Sequence, residues 1–170
     1  MKRFINLYRI VKASHRKASI AGFSEGDGGF KAPLFLLAII CGNPKDADIL
    51  FRYFVSADDT KTLVAVIREG EQQNHFFQQF NGAGDEGEHE TILNRLKDTE
   101  IYPAGFNNMN NPDILAHIRI ALKQKVGSQA WIHLSEVVRE NADAINQLEM
   151  KTVKEWIPEV ARFGYREWIE

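Results

Sequence analysis

Apolar residues return every three or four positions along almost the whole chain, and that spacing constrains the fold more than any other feature. Phe4, Leu7, Tyr8 and Val11 form one such stripe, and Ala47, Leu50, Phe51, Phe54 and Val55 a second. Ile114, Leu115, Ile118 and Leu122 form a third, and Val153, Trp156, Ile157, Val160 and Ala161 a fourth. A period near 3.6 places such residues on one helix face, whereas a half-buried strand needs strict alternation. Glycine and proline punctuate the stripes. Gly22-Phe-Ser-Glu-Gly-Asp-Gly-Gly29 marks a loop, Pro33 suits the first turn of the next helix, and Gly42 its end. Asn43-Pro44 reads as the cap and first residue of a third helix. Asp58 or Asp59 can cap another from Thr60, which Gly70 would interrupt at a cost of about 1 kcal/mol against alanine. Pro112 opens a helix that Gly127 ends, and Pro158 predicts a kink or restart near the C-terminus.

These signals predict an all-α, single-domain irregular helical bundle of about six to eight helices. A basic amphipathic helix over 1–21 is followed by a glycine-rich loop over 22–30, helices over 31–99, a loop over 100–111, and helices over 112–170. A short two-stranded insertion around 63–68 or 100–106 is the alternative there, because the Val and Ile content of Leu63 to Ile67 fits either state. The 170 residues suffice to bury a core without disulfide staples. The tail from Phe163 to Ile169 is aromatic enough to predict that it packs down.

The net charge of −2 gives no global pull toward nucleic acid or a membrane, but its distribution is uneven. Lys2, Arg3, Arg9, Lys12, Arg16 and Lys17 stand in the first twenty residues without an acid. Asp85, Glu86, Glu88, Glu90, Asp98 and Glu100 crowd a later segment against only Arg95 and Lys97. The single Cys41, set among aliphatic residues, excludes an internal disulfide and suits a reducing cytoplasm. The longest apolar run, Pro33 to Cys41, falls well short of the roughly 20 residues a membrane-spanning helix needs. The basic start continues into polar residues, so no signal peptide is expected.

Reactive constellations are sparse. The histidines at 15, 75, 89, 117 and 133 include no HExxH and no pair four apart, and there is no CxxC. Glu88-His89-Glu90 holds ligand types, but adjacent residues point to different sides of a helix. The segments Gly26-Asp-Gly-Gly29 and Gly82-Ala-Gly-Asp-Glu-Gly87 fit neither GxxxxGK[ST] nor GxGxxG, and the second is acidic where a phosphate would sit. No GxSxG elbow nominates a nucleophile. The expectation is therefore no catalytic residue, no metal and no cofactor.

Lys2-Arg-Phe-Ile-Asn-Leu-Tyr-Arg-Ile-Val-Lys-Ala-Ser14 resembles the start of the C-terminal helical region of KAP-like and STAND-like P-loop NTPases, where a motif of the type KRFxNxYRL opens the bundle after the nucleotide-binding core. Ala32 to Gly42 and Ile49-Leu-Phe-Arg-Tyr-Phe54 are similar to the apolar helix and "LFR" helix that follow there. Trp156 to Tyr165 is similar to a VARFSFR-like ending. The sequence contains no Walker A segment, so the resemblance implies a helical part that acts with a nucleotide core supplied elsewhere. It also implies that Lys2 and Arg3 face that core.

The reading is a non-catalytic helical sensing or partner-binding module. Its contact residues are Lys2, Arg3, Arg9, Lys12 and Arg16 on the first helix, with Phe106 and Met109 in the Asn-rich loop. A stand-alone protein that inhibits an enzyme, as an immunity or anti-defence factor does, is the alternative. A helical nucleic-acid binder using the basic helix is the second alternative. A protein partner, an NTPase core among the candidates, is expected, with no membrane and a cytoplasmic setting. A helix that opens the chain without lead-in also predicts that it belongs to something larger.

Overall fold

The computed structural model describes residues 2–15, 30–124, 128–141 and 145–164. Among these, eight α-helices and one 3-10 turn account for the regular structure, and no strand is present. They are α1 (Lys2–His15), α2 (Lys31–Gly42), α3 (Ala47–Ser56), α4 (Leu63–Gln78), α5 (Glu86–Leu96), α6 (Asn111–Gln124), α7 (Ser128–Glu140) and α8 (Met150–Gly164). The all-α expectation holds. Within the chain the contacts gather into two compact units, residues 1–66 with 140–170 and residues 67–139.

The first unit is built around α2, which is apolar on nearly every side. Ala32, Leu36, Leu37 and Ile40 are fully buried, and Phe35 and Ile39 nearly so. A helix without a polar face must be covered all round. Here α8 lies along it with Val153, Trp156, Ile157, Val160 and Ala161 buried, and α1 packs on both. Helix α3 contributes Leu50, Phe51 and Phe54 and also contacts α8, with the Phe35 and Phe54 rings 6.2 Å apart. Val55, placed by its spacing on the apolar side, is instead 48% exposed.

A short stitch closes this unit across a long sequence gap. The Leu63 N–H donates to the Leu148 carbonyl at 2.7 Å and the Met150 N–H to the Lys61 carbonyl at 2.9 Å, around an isolated antiparallel bridge between Thr62 and Glu149. Beside it, the Lys154 ammonium donates to Asp59 Oδ1 at 2.6 Å and to the Ala57 carbonyl. The proposed two-stranded insertion at 63–68 is thus a single bridge at Thr62, after which the chain is helical. Thr62 Oγ1 accepts from the Ala65 N–H at 3.3 Å as the cap of α4, and Leu63, Val66 and Ile67 bury on one face at helical spacing. Residues 100–106 hold turns and the 3-10 segment Ala104–Phe106.

Other boundaries moved for local reasons. Asn43 serves as the C-cap of α2, donating its N–H to Ile39, and its side-chain amide reaches Asp46 at 2.9 Å. The turn so formed delays α3 to Ala47 rather than Pro44. Asp58 caps a turn, not a helix: its carboxylate accepts from the Thr60 N–H and hydroxyl, both at 2.8 Å. Helix α8 runs without a restart across Pro158, whose ring is exposed and which forgoes one backbone bond. The glycine loop to Gly29, Gly127, Ala144 and the tail beyond Gly164 lie outside the described residues.

The second unit forms around Phe76, Phe80, Leu93, Leu96, Phe106, Ile114 and Ile118, with α5 packed on α6. Gly70 does not interrupt α4. A Cβ at this position would lie 2.3 Å from the Trp131 ring, which is 3% exposed, so the missing side chain is the seat of the indole.

Two outcomes follow from these contacts. Gly70→Ala gains about 1 kcal/mol of helix propensity but forces Trp131 to shift, and should destabilise the protein by about 1–3 kcal/mol net; urea unfolding of the two forms decides it. The Thr60 N–H, then its hydroxyl, hold the Asp58 carboxyl below its ordinary 3.8. The stability linked to this group is therefore present above the unfolded value and lost as pH falls through the lowered one. An NMR titration should place the Asp58 midpoint below that of an ordinary aspartate, and Thr60→Ala should raise it.

Candidate partner-binding face

Helix α1 separates its residues by side. Phe4, Leu7 and Tyr8 are half-buried and Val11 is buried, which fixes the helix on α2 and α8. At 100° per residue, Lys2, Arg3, Ile5, Asn6, Arg9 and Ile10 fall on the opposite arc, and all six are exposed. The isoleucines are large apolar groups left 40% and 45% accessible. The Lys2, Arg3 and Arg9 side chains make no ion pair or hydrogen bond with any described residue, whereas Arg52, Arg119 and Arg162 each meet a carboxylate. The Lys12 side chain and the whole of Arg16 lie outside the described residues.

The loop residues are placed differently. Phe106 is only 7% exposed and sits among aromatic rings, with centroids 5.5 Å from Phe76, 6.2 Å from Tyr102 and 6.1 Å from His117. Most of these meet edge to face, the arrangement that the ring quadrupoles favour. Burial pushes the Tyr102 phenol up from its ordinary 10.0. Met109 is half-buried against the same cluster. Phe106 is therefore a core anchor, and a partner would meet this loop through the exposed Gly105, Asn107 and Asn108. Gln72 Nε2 fastens the loop by donating to the Glu100 carbonyl at 3.1 Å, and Asn110 Oδ1 caps α6 by accepting from the Asp113 N–H at 3.0 Å. The asparagines that made the stretch unusual in sequence thus include a helix cap.

The acidic segment also has a structural use. Asp85 Oδ1 accepts from the Glu88 N–H at 2.8 Å as the N-cap of α5, and Glu88 Oε2 reaches back past the cap to accept from the Gly84 N–H at 2.6 Å. Glu86 and Glu88 lie in the first turn, where the helix dipole favours negative charge. His89 stacks its ring edgewise on Phe80 at 5.8 Å rather than joining its acidic neighbours in a ligand set. No group of three His, Cys, Asp or Glu residues positioned to hold a metal ion occurs among the described residues. No helix among them is long and apolar enough to cross a membrane.

Comparison with protein-family models, with curated proteins and with solved structures gives no match to this protein.

Truncation separates the two kinds of predicted contact residue. Phe106→Ala should cost about 3–5 kcal/mol, as for other buried aromatics, whereas alanine at Lys2, Arg3 or Arg9 should stay within about 0.5 kcal/mol. Chemical denaturation of the four variants makes the comparison.

Proposed function

We propose that this protein is a non-catalytic, cytoplasmic partner-binding module that docks a protein through the outward face of α1. Three cations without a partner among the described residues, with two exposed isoleucines on the same helix face and a net charge of −2 overall, carry this reading. Arginine beside exposed apolar groups is the mixture that protein interfaces favour. A phosphate backbone would use the cations and gain little from Ile5 and Ile10, so a protein partner fits better than nucleic acid. The resemblance of Lys2 to Ser14 to the opening of a P-loop NTPase helical region supports the nucleotide-binding core of such an enzyme as the partner. Lys2 and Arg3 would meet its acidic or phosphate-bearing edge by charge-assisted hydrogen bonds.

Co-purification with the products of neighbouring genes tests the reading. A complex with a P-loop core that Arg3→Glu/Arg9→Glu weakens about tenfold or more, the equivalent of about 1.4 kcal/mol, supports it. A complex with a toxin, broken by the same pair, would favour the enzyme-inhibitor alternative. ATP turnover by the isolated protein overturns the non-catalytic reading. If nucleic acid is the ligand, three phosphate contacts should give a slope of log affinity against log salt of about −2.7.

A further inference from the structure

The turn after α4 contains Asn81-Gly82, the one Asn-Gly pair in the sequence. The Phe80 carbonyl accepts from the Ala83 N–H at 3.2 Å, so Asn81 and Gly82 occupy the two central turn positions, and both are exposed. Gly82 has φ +89°, and no atom lies within 4 Å of where a Cβ would stand. The Asn81 N–H is held by Gln78 at 3.1 Å, but the Gly82 N–H and the Asn81 side-chain amide have no hydrogen-bond partner among the described residues. The electrophile and the nucleophile of a five-membered ring closure are thus adjacent, unhindered and untied.

From this geometry we infer that Asn81 is a self-modifying site, a residue that deamidates through a succinimide in the folded protein. The Gly82 backbone nitrogen loses its proton to solvent hydroxide and attacks Asn81 Cγ. The new bond from nitrogen to Cγ forms as the bond between Cγ and Nδ2 breaks, and the leaving group takes a proton from water and departs as ammonia. Water then opens the ring. Cleavage of the bond between Gly82 N and Cγ gives aspartate. Cleavage of the bond between Gly82 N and the Asn81 backbone carbonyl carbon gives isoaspartate, in which the backbone runs through the former Asn81 Cγ. The net change is one water in and one ammonia out, without an oxidant or cofactor. Either product places a new carboxylate four residues before the Asp85 cap. Isoaspartate also adds a methylene to the turn that joins buried Phe80 to α5.

Other asparagines of the described residues lack one of these conditions. Asn43 and Asn111 precede proline, which has no N–H to attack with. Asn74 and Asn94 are inside α4 and α5, where the following N–H groups serve the helix. The N–H after Asn108 is held by the Phe106 carbonyl at 3.0 Å, and the Asn110 side chain is tied to the Asp113 N–H. Asn107 comes nearest, but the Asn108 side chain screens the attacking nitrogen.

The full-length protein, incubated folded at mildly alkaline pH, is digested and its peptides are resolved by mass and by enzymatic isoaspartate methylation. Asn81 should convert about tenfold or more ahead of Asn107, since glycine leaves its nitrogen unscreened, and isoaspartate should be among the products. Asn81→Gln, which leaves the glycine turn untouched, should abolish the isoaspartate signal from this peptide. An intact Asn81 after Asn107 has converted would overturn the inference, as would aspartate formed there without isoaspartate.

Discussion

Helix α2 has to be enclosed, and most of the first unit follows from that requirement. Its residues from Ala32 to Ile40 offer water almost no polar surface, so the helix is stable only with apolar neighbours on several sides. Helices α1 and α3 are close in sequence, but α8 comes from the other end of the protein. Long-range closure carries an entropy penalty that local helices do not offset. The burial of Trp156, Ile157 and Val160 against α2, with the paired backbone bonds between Lys61–Leu63 and Leu148–Met150, provides the compensating gain. Residues 67–139 are the consequence: a long excursion between two segments that must meet.

That excursion is stable by a different device. Its core is dominated by aromatic edges around Phe76, which lies 5.2 Å from Phe80 and 5.7 Å from Tyr102. Irregular backbone between α5 and α6 is tolerable because Phe106 is driven into this cluster while Gln72, Asn110 and the turn carbonyls satisfy the polar groups. Gly70 plays the complementary part on the same unit, giving up a side chain so that a large indole can lie against the helix backbone.

Function, on the reading proposed, belongs to the element with least to do in the core. Val11 is the only fully buried side chain on the described face of α1, and the cations opposite it have no partners among the described residues. The acidic residues are far more committed: Asp85 caps a helix, Glu88 accepts from the Gly84 N–H, and Glu86 pairs with Arg119 at 2.5 Å. Two charge clusters that look symmetrical in sequence thus differ in how much of their charge is already engaged inside the fold.

Helix identity was legible in the sequence because 3.6-residue periodicity and glycine or proline stops are local. Phe4 to Val11, Ile114 to Ile118 and Val153 to Ala161 carry those signals unaided, and with them the all-α class and the outward basic face. The tertiary structure alone decided that Phe106 is core and Val55 is exposed, that Gly70 continues a helix, and that Leu63 to Ile67 is not a strand. It also decided that the contacts gather into two compact units. Each of these depends on which distant side chain arrives at a position, such as Trp131 at Gly70 or Phe76 at Phe106, and periodicity along one segment holds no information about the surface that will meet it.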